Sequence, residues 1–142
     1  MTGLKIGQRS GLKNNMKIWN LKFASNKKPD DIFNYIIDGT KTVETRSRNP
    51  GEGENDYSNV KVGDILQIKS LDSGREIQKT VIFNHVYNSV EDLVNNENVT
   101  KILPTIKNNN EFLAVIEEVK NKWGEKYKFE LENYGMVAIG FK

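Results

Sequence analysis

The sequence predicts a mixed α+β domain in which most strands pair antiparallel. Short stretches that alternate between apolar and polar residues, typical of half-buried strands, are interleaved with stretches whose apolar residues recur at helical spacing. Tight-turn signals separate successive strand candidates, which favours antiparallel neighbours. At 142 residues the chain is long enough to bury a core without disulfides.

Composition limits the function classes. Hydrophobic residues make up 37% and charged residues 28%, which is typical of a soluble globular protein. No apolar run approaches the ~20 residues that span a bilayer, and no signal peptide is predicted. The absence of cysteine excludes disulfides and thiolate metal sites and fits a cytoplasmic location. With 21 Lys+Arg against 19 Asp+Glu, the mild basic excess neither requires nor excludes a nucleic-acid partner.

The first elements follow in order along the chain. Residues 1–15 are polar and glycine-containing, so we predict a flexible N-terminal arm there and a single domain over residues 16–142. "MKIWNLKF" alternates as a strand does. In "NKKPDDIFNYIIDG", Pro29 and two aspartates favour a helix start, and Gly39 favours its end. The apolar stripe of this helix comprises Ile32, Phe33, Ile36 and Ile37.

The second half repeats these signals. "VKVGDILQIKS" predicts a strand that follows a turn at Gly63, and "DSGR" predicts a hairpin turn into the long strand "EIQKTVIFNHVY". Ser89 is a suitable cap for a short helix, and "YGMVAIGF" predicts a closing strand. "NNNEFLAVIEEVKNKW" predicts the clearest helix, with one apolar face formed by Phe112, Val115, Ile116, Val119 and Trp123.

The stretch "GTKTVETR" is an unusual strand because it is rich in charge. Thr42, Glu44 and Arg46 would share one face, and Lys41, at the beginning of the strand, could point either way. An exposed edge strand with a Glu–Arg pair is one interpretation. A functional site is the other, and the residues alone favour neither.

Other candidate sites are weaker. The long 47–61 loop could close over a ligand with Arg48 and Tyr57. His85 lacks metal-ligand partners at suitable spacing, so a structural or surface role is favoured. Trp19 could stack on a base, whereas Trp123 is predicted to pack in the core and the lysine-rich "KNKWGEKYK" to be a solvated helix end. No metal or cofactor is predicted.

The order "IIDGTKTVETR", "VKVGDILQI", "VYNSVEDLV" resembles the ASCH family of PUA-like domains. The family pattern Gly-x-Lys-Thr-x-Glu-x-Arg followed by Val-Gly-Asp is matched here in type and order. The resemblance covers roughly residues 16–142 and implies a small mixed, mostly antiparallel β-barrel with flanking helices. The matched residues are Gly39, Lys41, Thr42, Glu44, Arg46, Gly63 and Asp64.

The resemblance also implies a cleft at the helix–strand junction and a role in binding RNA or nucleotides. Similar proteins include amidohydrolases of N4-acetylcytidine and ribonucleases. In the amidohydrolases a lysine, a threonine three residues later and a downstream glutamate act. Lys41 matches the lysine, Glu44 replaces the threonine, and Glu97 is most similar to the glutamate, with Glu111 as the fallback.

Three functions follow as hypotheses. The first is binding of single-stranded RNA or a small nucleotide or nucleoside. The second is hydrolysis of a modified nucleoside amide or of RNA, with Lys41 and Glu97 as the acting pair. The third is a protein-interaction module that uses the charged strand, and the choice between binding and catalysis stays open. The candidate catalytic residues are Lys41, Glu44 and Glu97, and the candidate ligand-binding residues are Thr42, Arg46, Arg48, Trp19 and Tyr57.

Overall fold

The fold is a curved five-stranded sheet with four flanking helices, in a computed structural model that describes residues 16–53 and 56–142. The predicted N-terminal arm, residues 1–15, lies outside these ranges. The strands are β1 (Ile18–Phe23), β2 (Val43–Ser47), β3 (Ile65–Ser70), β4 (Glu76–Tyr87) and β5 (Met136–Phe141). Their order is β1-β3-β4-β5-β2; β1 pairs with β3 in parallel and the other neighbours are antiparallel. The sheet curls into a half-barrel, which confirms the predicted fold class.

The long strand β4 forms the corner of the half-barrel. Its first half, from Glu76 to Thr80, pairs with β3, and its second half, from Val81 to Tyr87, pairs with β5. The β4–β5 register shifts between Val81 and Phe83. A bulge of this kind bends a strand and increases its twist, and it therefore lets one strand serve both halves of the curved sheet.

Local chemistry predicts the end of the first helix and the beginning of the second. They are α1 (Asp31–Asp38), α2 (Val90–Asn96), α3 (Asn109–Trp123) and α4 (Glu125–Tyr134). Gly39 ends α1 in the left-handed conformation, at φ 83°, and the Ser89 side chain caps α2 by accepting from the backbone of Asp92. None of the helices in residues 16–53 and 56–142 is long and apolar enough to cross a bilayer.

Two hydrophobic clusters lie on opposite faces of the sheet. The interior of the half-barrel is filled by Trp19, Leu21, Phe23, Phe33, Ile36, Val60, Leu66, Ile68, Val81, Val137, Ile139 and Phe141. The space between the sheet and helices α2–α4 is filled by Val43, Val90, Leu93, Val94, Val99, Ile102, Ile106, Phe112, Ile116, Leu131, Met136 and Ala138. We call these two sides the barrel side and the helix side.

Strand β5 separates the two clusters and is buried on both faces. Val137, Ile139 and Phe141 face the barrel side, whereas Met136 and Ala138 face the helix side. This explains the unbroken apolar character of the closing strand, because a strand covered on both faces needs no polar alternation.

The sequence prediction was wrong for Trp123, whose side chain is 64% exposed. The chain turns at Gly124, directly after Trp123, and continues as α4, a helix that the sequence did not predict separately. The helix-side core beneath this corner is filled by Phe112, Ile116 and Leu131. The apolar stripe of α3 is therefore buried only over its first turns.

Candidate functional site: the junction of α1 and β2

The junction between α1 and β2 fixes the position of Lys41. Gly39 stops the helix, and the backbone N–H of Lys41 donates to the carbonyl of Tyr35 at 3.0 Å. Lys41 therefore precedes β2 by two residues, so the in–out alternation of the strand does not determine where its side chain points. Its side chain is only 2% exposed, which decides the orientation that the sequence left open.

The Lys41 ammonium group is fully hydrogen-bonded. Nζ donates to the carbonyl of Val43 at 2.8 Å and to that of Ile102 at 2.7 Å, and it lies 3.1 Å from Oε1 of Glu44. An ammonium group has three N–H donors, and these three oxygens use all of them. Burial lowers the pKa of Lys41 below its ordinary value, against the opposing charge of Glu44. Because the neutral amine would leave one oxygen without a donor, the surroundings match the charged form.

Glu44 joins Lys41 to Arg46. Its Oε2 accepts from Nε of Arg46 at 3.0 Å and lies 2.9 Å from an Nη atom of the same guanidinium. Burial alone would raise the pKa of Glu44, but the charges of Lys41 and Arg46 and their hydrogen bonds outweigh burial, so the pKa lies below its ordinary value. The three residues form one largely buried ionic cluster, which we call the Lys41–Arg46 cluster. With two cations and one carboxylate, its net charge is +1.

Arg46 is the part of the cluster that reaches solvent. Its side chain is 26% exposed, against 2% for Lys41 and 11% for Glu44. The guanidinium carbon lies 5.6 Å from the ring centre of Phe23 and 5.5 Å from that of Tyr57, within cation–π range of both. Glu44 and two rings thus hold the guanidinium in place while a quarter of the side chain faces water.

Two residues of this site were missed as site residues. Phe23 supplies an aromatic ring beside both cations, and its centre lies 6.0 Å from Nζ of Lys41. Ile102 supplies a backbone carbonyl. Alternation marks Phe23 as buried on the face of Trp19 and Leu21, but a carbonyl acceptor leaves no sequence signal.

Trp19 is buried and does not present a ring for stacking on a ligand. It is 4% exposed, and its Nε1 donates to Oδ2 of Asp64 at 3.0 Å. The same carboxylate accepts from the backbone of Lys17 at 3.1 Å and of Lys61 at 2.9 Å. The Val-Gly-Asp stretch therefore fixes β1 to the turn before β3, with Gly63 at φ 94°.

The remaining predicted ligand-binding residues lie around the cluster. Tyr57 packs against the barrel core beside Trp19, with ring centres 5.8 Å apart. Thr42 is held by its backbone between the carbonyl of Lys101 and the N–H of Phe141, each at 3.0 Å. Nε of Arg48 is buried and has no hydrogen-bond partner within residues 16–53 and 56–142.

Glu97 lies in a different cluster. Its Oε2 lies 2.7 Å from Nδ1 of His85 and accepts a hydrogen bond from the Tyr87 hydroxyl. His85 stacks on Phe83 with ring centres 4.4 Å apart, and its side chain is 52% exposed. Sequence spacing gave His85 no partner; Glu97 becomes one because it ends α2 over β4.

The sheet separates this second cluster from the first. Glu44 is paired with Ile139 of the barrel core, whereas His85 is paired with Ala138 of the helix-side core. Paired residues on neighbouring strands share a face. Lys41, which precedes β2, and Glu97 share no hydrogen bond or ion pair. The fallback, Glu111, accepts from the backbone of Lys107 at 2.9 Å at the beginning of α3 and is not among the partners of Lys41.

A cleft of about 430 Å³ lies between α2, α3 and α4, away from the Lys41–Arg46 cluster. Its floor is apolar and its rim carries Glu91, Glu117 and Glu132 with one lysine, Lys120. Lys120 lies 2.8 Å from Glu117 and 4.0 Å from Glu132, so its charge is already balanced. We place the candidate site at the ionic cluster because two buried charged residues there hold a cation that reaches solvent between two aromatic rings. Within the described residues, no group of three or more His, Asp or Glu could hold a metal ion.

Comparison with known proteins places the chain in a structural class. No protein-family model and no curated protein matches it. Its structure is similar to a crystal structure of hypothetical protein PH0355, with a TM-score of 0.61 and 20% identity over 87% of this chain and 97% of that one. It is also similar to the solution NMR structure of protein PF0455 from Pyrococcus furiosus, with a TM-score of 0.57 and 21% identity over 88% of this chain and 96% of that one. At these identities the similarity establishes a shared fold.

Proposed function

We propose that the chain is an ASCH-type module that binds single-stranded RNA or a nucleotide at the α1–β2 junction, with Arg46 as the main contact for a phosphate group. The observation that carries the proposal is the presentation of Arg46. Its guanidinium is oriented by Glu44 and by the rings of Phe23 and Tyr57 while the side chain stays 26% exposed. A planar cation held in advance binds phosphate with little loss of side-chain freedom.

In this proposal Lys41 and Glu44 position Arg46 and do not contact the ligand. Every Nζ donor of Lys41 is used by protein oxygens, so contact with a ligand would break a buried hydrogen bond. Glu44 has one oxygen on each cation. The net positive charge of the cluster then favours an anion at Arg46.

The hydrolase hypothesis with Lys41 and Glu97 as the acting pair has less support. The two residues share no hydrogen bond or ion pair: Lys41 binds Val43, Ile102 and Glu44, whereas Glu97 binds His85 and Tyr87. General acid–base catalysis requires groups within hydrogen-bond reach of one substrate, directly or through one water. Binding without turnover by this pair is therefore the better-supported function.

The test is an NMR titration of isotope-labelled protein with mononucleotides, nucleosides including N4-acetylcytidine, and a short oligouridine at low salt. We expect saturable shifts at Arg46, Phe23 and Tyr57 with the phosphate-bearing ligands, weakening as salt is raised. Arg46→Ala should weaken binding about tenfold, in the range lost when a charged hydrogen bond is removed. Arg46→Lys should restore part of it.

Arg75 provides a matched control. It lies 5.0 Å from the ring of Phe33 and forms an ion pair with Asp30 at 3.2 Å, so it repeats the arrangement of Arg46 elsewhere on the surface. Arg75→Ala should leave ligand affinity unchanged. Equal losses in the Arg46 and Arg75 variants would indicate nonspecific attraction, and no saturable shift with any ligand would refute the proposal. A new product resonance that survives Glu97→Gln would establish turnover without the proposed pair.

A further inference from the structure

The corner between α3 and α4 exposes an aromatic ring in an ordered position. Trp123 is 64% exposed at the end of α3. Its ring meets that of Tyr127 edge to face, with centres 5.0 Å apart, and Tyr127 packs against the helix-side core. The exposed indole is therefore supported by a partly buried neighbour, and one of its surfaces faces solvent.

Lysines flank this tryptophan in the sequence. Residues 120 to 128 read KNKWGEKYK and carry four lysines against one glutamate. Lys122 and Lys128 are exposed and form no ion pair within residues 16–53 and 56–142. The side chain of Lys126 is 73% exposed, and its pair with Glu52, at 3.3 Å, is a surface pair that binds weakly. We call Trp123, Lys122, Lys126 and Lys128 the corner platform.

The corner platform lies close to the Lys41–Arg46 cluster. Ser47, at the end of β2, donates to the Glu130 carboxylate of α4 at 2.8 Å, and Lys126 reaches Glu52 in the segment after β2. Burial raises the pKa of Tyr127 to about 12, and the charges of Glu44 and Arg46 also act on it. Helix α4 therefore packs beside β2, which is an edge strand of the sheet, so the segment that carries Lys126 lies next to the strand that carries Arg46.

We propose that the corner platform is a second contact for the nucleic acid bound at Arg46: Trp123 stacks on a base and the lysines contact phosphates of the same single strand. Exposed aromatics beside cations are the recurring chemistry of single-strand binding, because every base has a face to stack and every linkage a charge. A duplex, whose bases are already stacked, would not use the indole. The inference rests on the proposed function at Arg46 and extends it from a mononucleotide to a strand.

The experiment compares ligands of two lengths. Binding of a fluorescein-labelled oligouridine of about eight nucleotides, within the 4–16 nucleotides typical of such sites, is followed by anisotropy, and binding of uridine monophosphate by NMR. Trp123→Ala should weaken the oligonucleotide about tenfold and leave the mononucleotide unchanged. Lys122→Ala with Lys128→Ala should reduce the salt dependence of oligonucleotide affinity by about 1.4 in its logarithmic slope. Phe129→Ala is the control, since Phe129 is 55% exposed on α4 and contacts Tyr134 instead.

The outcomes separate this inference from the proposed function. If Arg46→Ala weakens the oligonucleotide and Trp123→Ala does not, the corner platform is refuted and the Arg46 site stands. If Trp123→Ala weakens it and Arg46→Ala does not, the strand binds at the corner alone, which refutes both the Arg46 site and the inference that one strand contacts the two regions. If wild-type protein binds neither ligand, both fail. Equal losses from Trp123→Ala and Phe129→Ala would also overturn the platform.

Discussion

The two faces of the β4–β5–β2 sheet each hold a carboxylate that is shielded from water, and they hold it differently. On the barrel side, Glu44 lies between Lys41 and Arg46 at 2.9–3.1 Å. On the helix side, Glu97 lies between His85 and Tyr87. The side chains of the two carboxylates are 11% and 6% exposed, so burial alone does not distinguish them.

The difference lies in the donors. Arginine keeps its charge over the whole physiological pH range and the three oxygens around Nζ of Lys41 match its charged form, whereas a histidine is charged only when protonated and a tyrosine is a neutral donor. The barrel-side cluster is therefore an ionic network that orients one partly exposed guanidinium. The helix-side cluster attaches the end of α2 to β4 and has no permanent cation. For this reason we assign ligand binding to the first cluster.

The largest expected effect comes from removing the buried cation. Lys41→Met should lower the free energy of unfolding by about 3–5 kcal/mol, because it leaves a buried carboxylate with only one partner and two carbonyls without a donor. Urea unfolding followed by circular dichroism measures this. A loss below about 1 kcal/mol would show that the cluster is hydrated.

The double variant Lys41→Met with Glu44→Met tests whether the loss reflects the unpaired charge. Replacing both members of a buried pair with apolar residues is often close to neutral, so the double variant should recover most of the stability lost in Lys41→Met. It should also bind phosphate ligands poorly, because Arg46 has lost the carboxylate that orients it. Full binding by a stable double variant would contradict the positioning role of the pair.

Much of the fold was predictable because each element carries its own local signal. The alternation of β1, the Gly39 stop, the Ser89 cap and the extent of β4 agree with the structure. Helix α4 was not separated from α3, because Gly124 acts as the end of one helix and the beginning of the next without a loop. Trp123 continues the helical stripe, but only tertiary packing determines how far along α3 the core reaches.

The candidate site was predictable to the extent that its residues are close in sequence. Lys41, Glu44 and Arg46 lie within six residues and contact one another. Whether Lys41 and Glu97 share a site could not be predicted from spacing, because it depends on the contacts that each residue makes in the fold. In the structure Lys41 contacts Glu44, and Glu97 contacts His85 and Tyr87.

Loss of the helix-side carboxylate should have a smaller effect than loss of Lys41. Glu97→Gln keeps the shape of the side chain and removes the charge that accepts from Tyr87 and faces His85. We expect a loss of about 1.5–2 kcal/mol in the free energy of unfolding, at the low end for hydrogen bonds to charged groups, since His85 is half exposed. Ligand binding at Arg46 should not change; a parallel loss of affinity would show that the two faces communicate.

Each of the two carboxylates, Glu97 and Glu44, also raises the pKa of a nearby tyrosine. Burial and then Glu97 raise the pKa of Tyr87 above its ordinary value of 10.0, and burial followed by the charge of Glu44 raises that of Tyr127 to about 12. A raised pKa contributes stability that is complete below pH 10 and is lost as pH rises toward the folded-state pKa. Between pH 9 and about pH 11, Tyr87→Phe should therefore lose about 1 kcal/mol less stability than wild type.

Double variants test which carboxylate raises the pKa of each tyrosine. In a Glu97→Gln background the alkaline advantage of Tyr87→Phe should shrink, while that of Tyr127→Phe should remain. Unfolding free energies at the two pH values measure both. If the advantage of Tyr127→Phe shrinks equally, the alkaline loss reflects a general loosening of the fold rather than two separate environments.

The smallest effect is expected at the surface, where the same kinds of charge meet in water. Glu52→Gln removes the partner of Lys126, whose side chain is 73% exposed, so we expect a change of at most about 0.5 kcal/mol in the free energy of unfolding. Because the substitution also removes a negative charge beside the corner platform, oligonucleotide affinity at low salt should rise by about twofold. A stability loss comparable to that of Glu97→Gln would mean that the segment after β2 is fixed to α4 by this pair. A small loss of stability together with a rise in affinity would instead show that this pair contributes little to the fold and that Lys126 is available to a ligand.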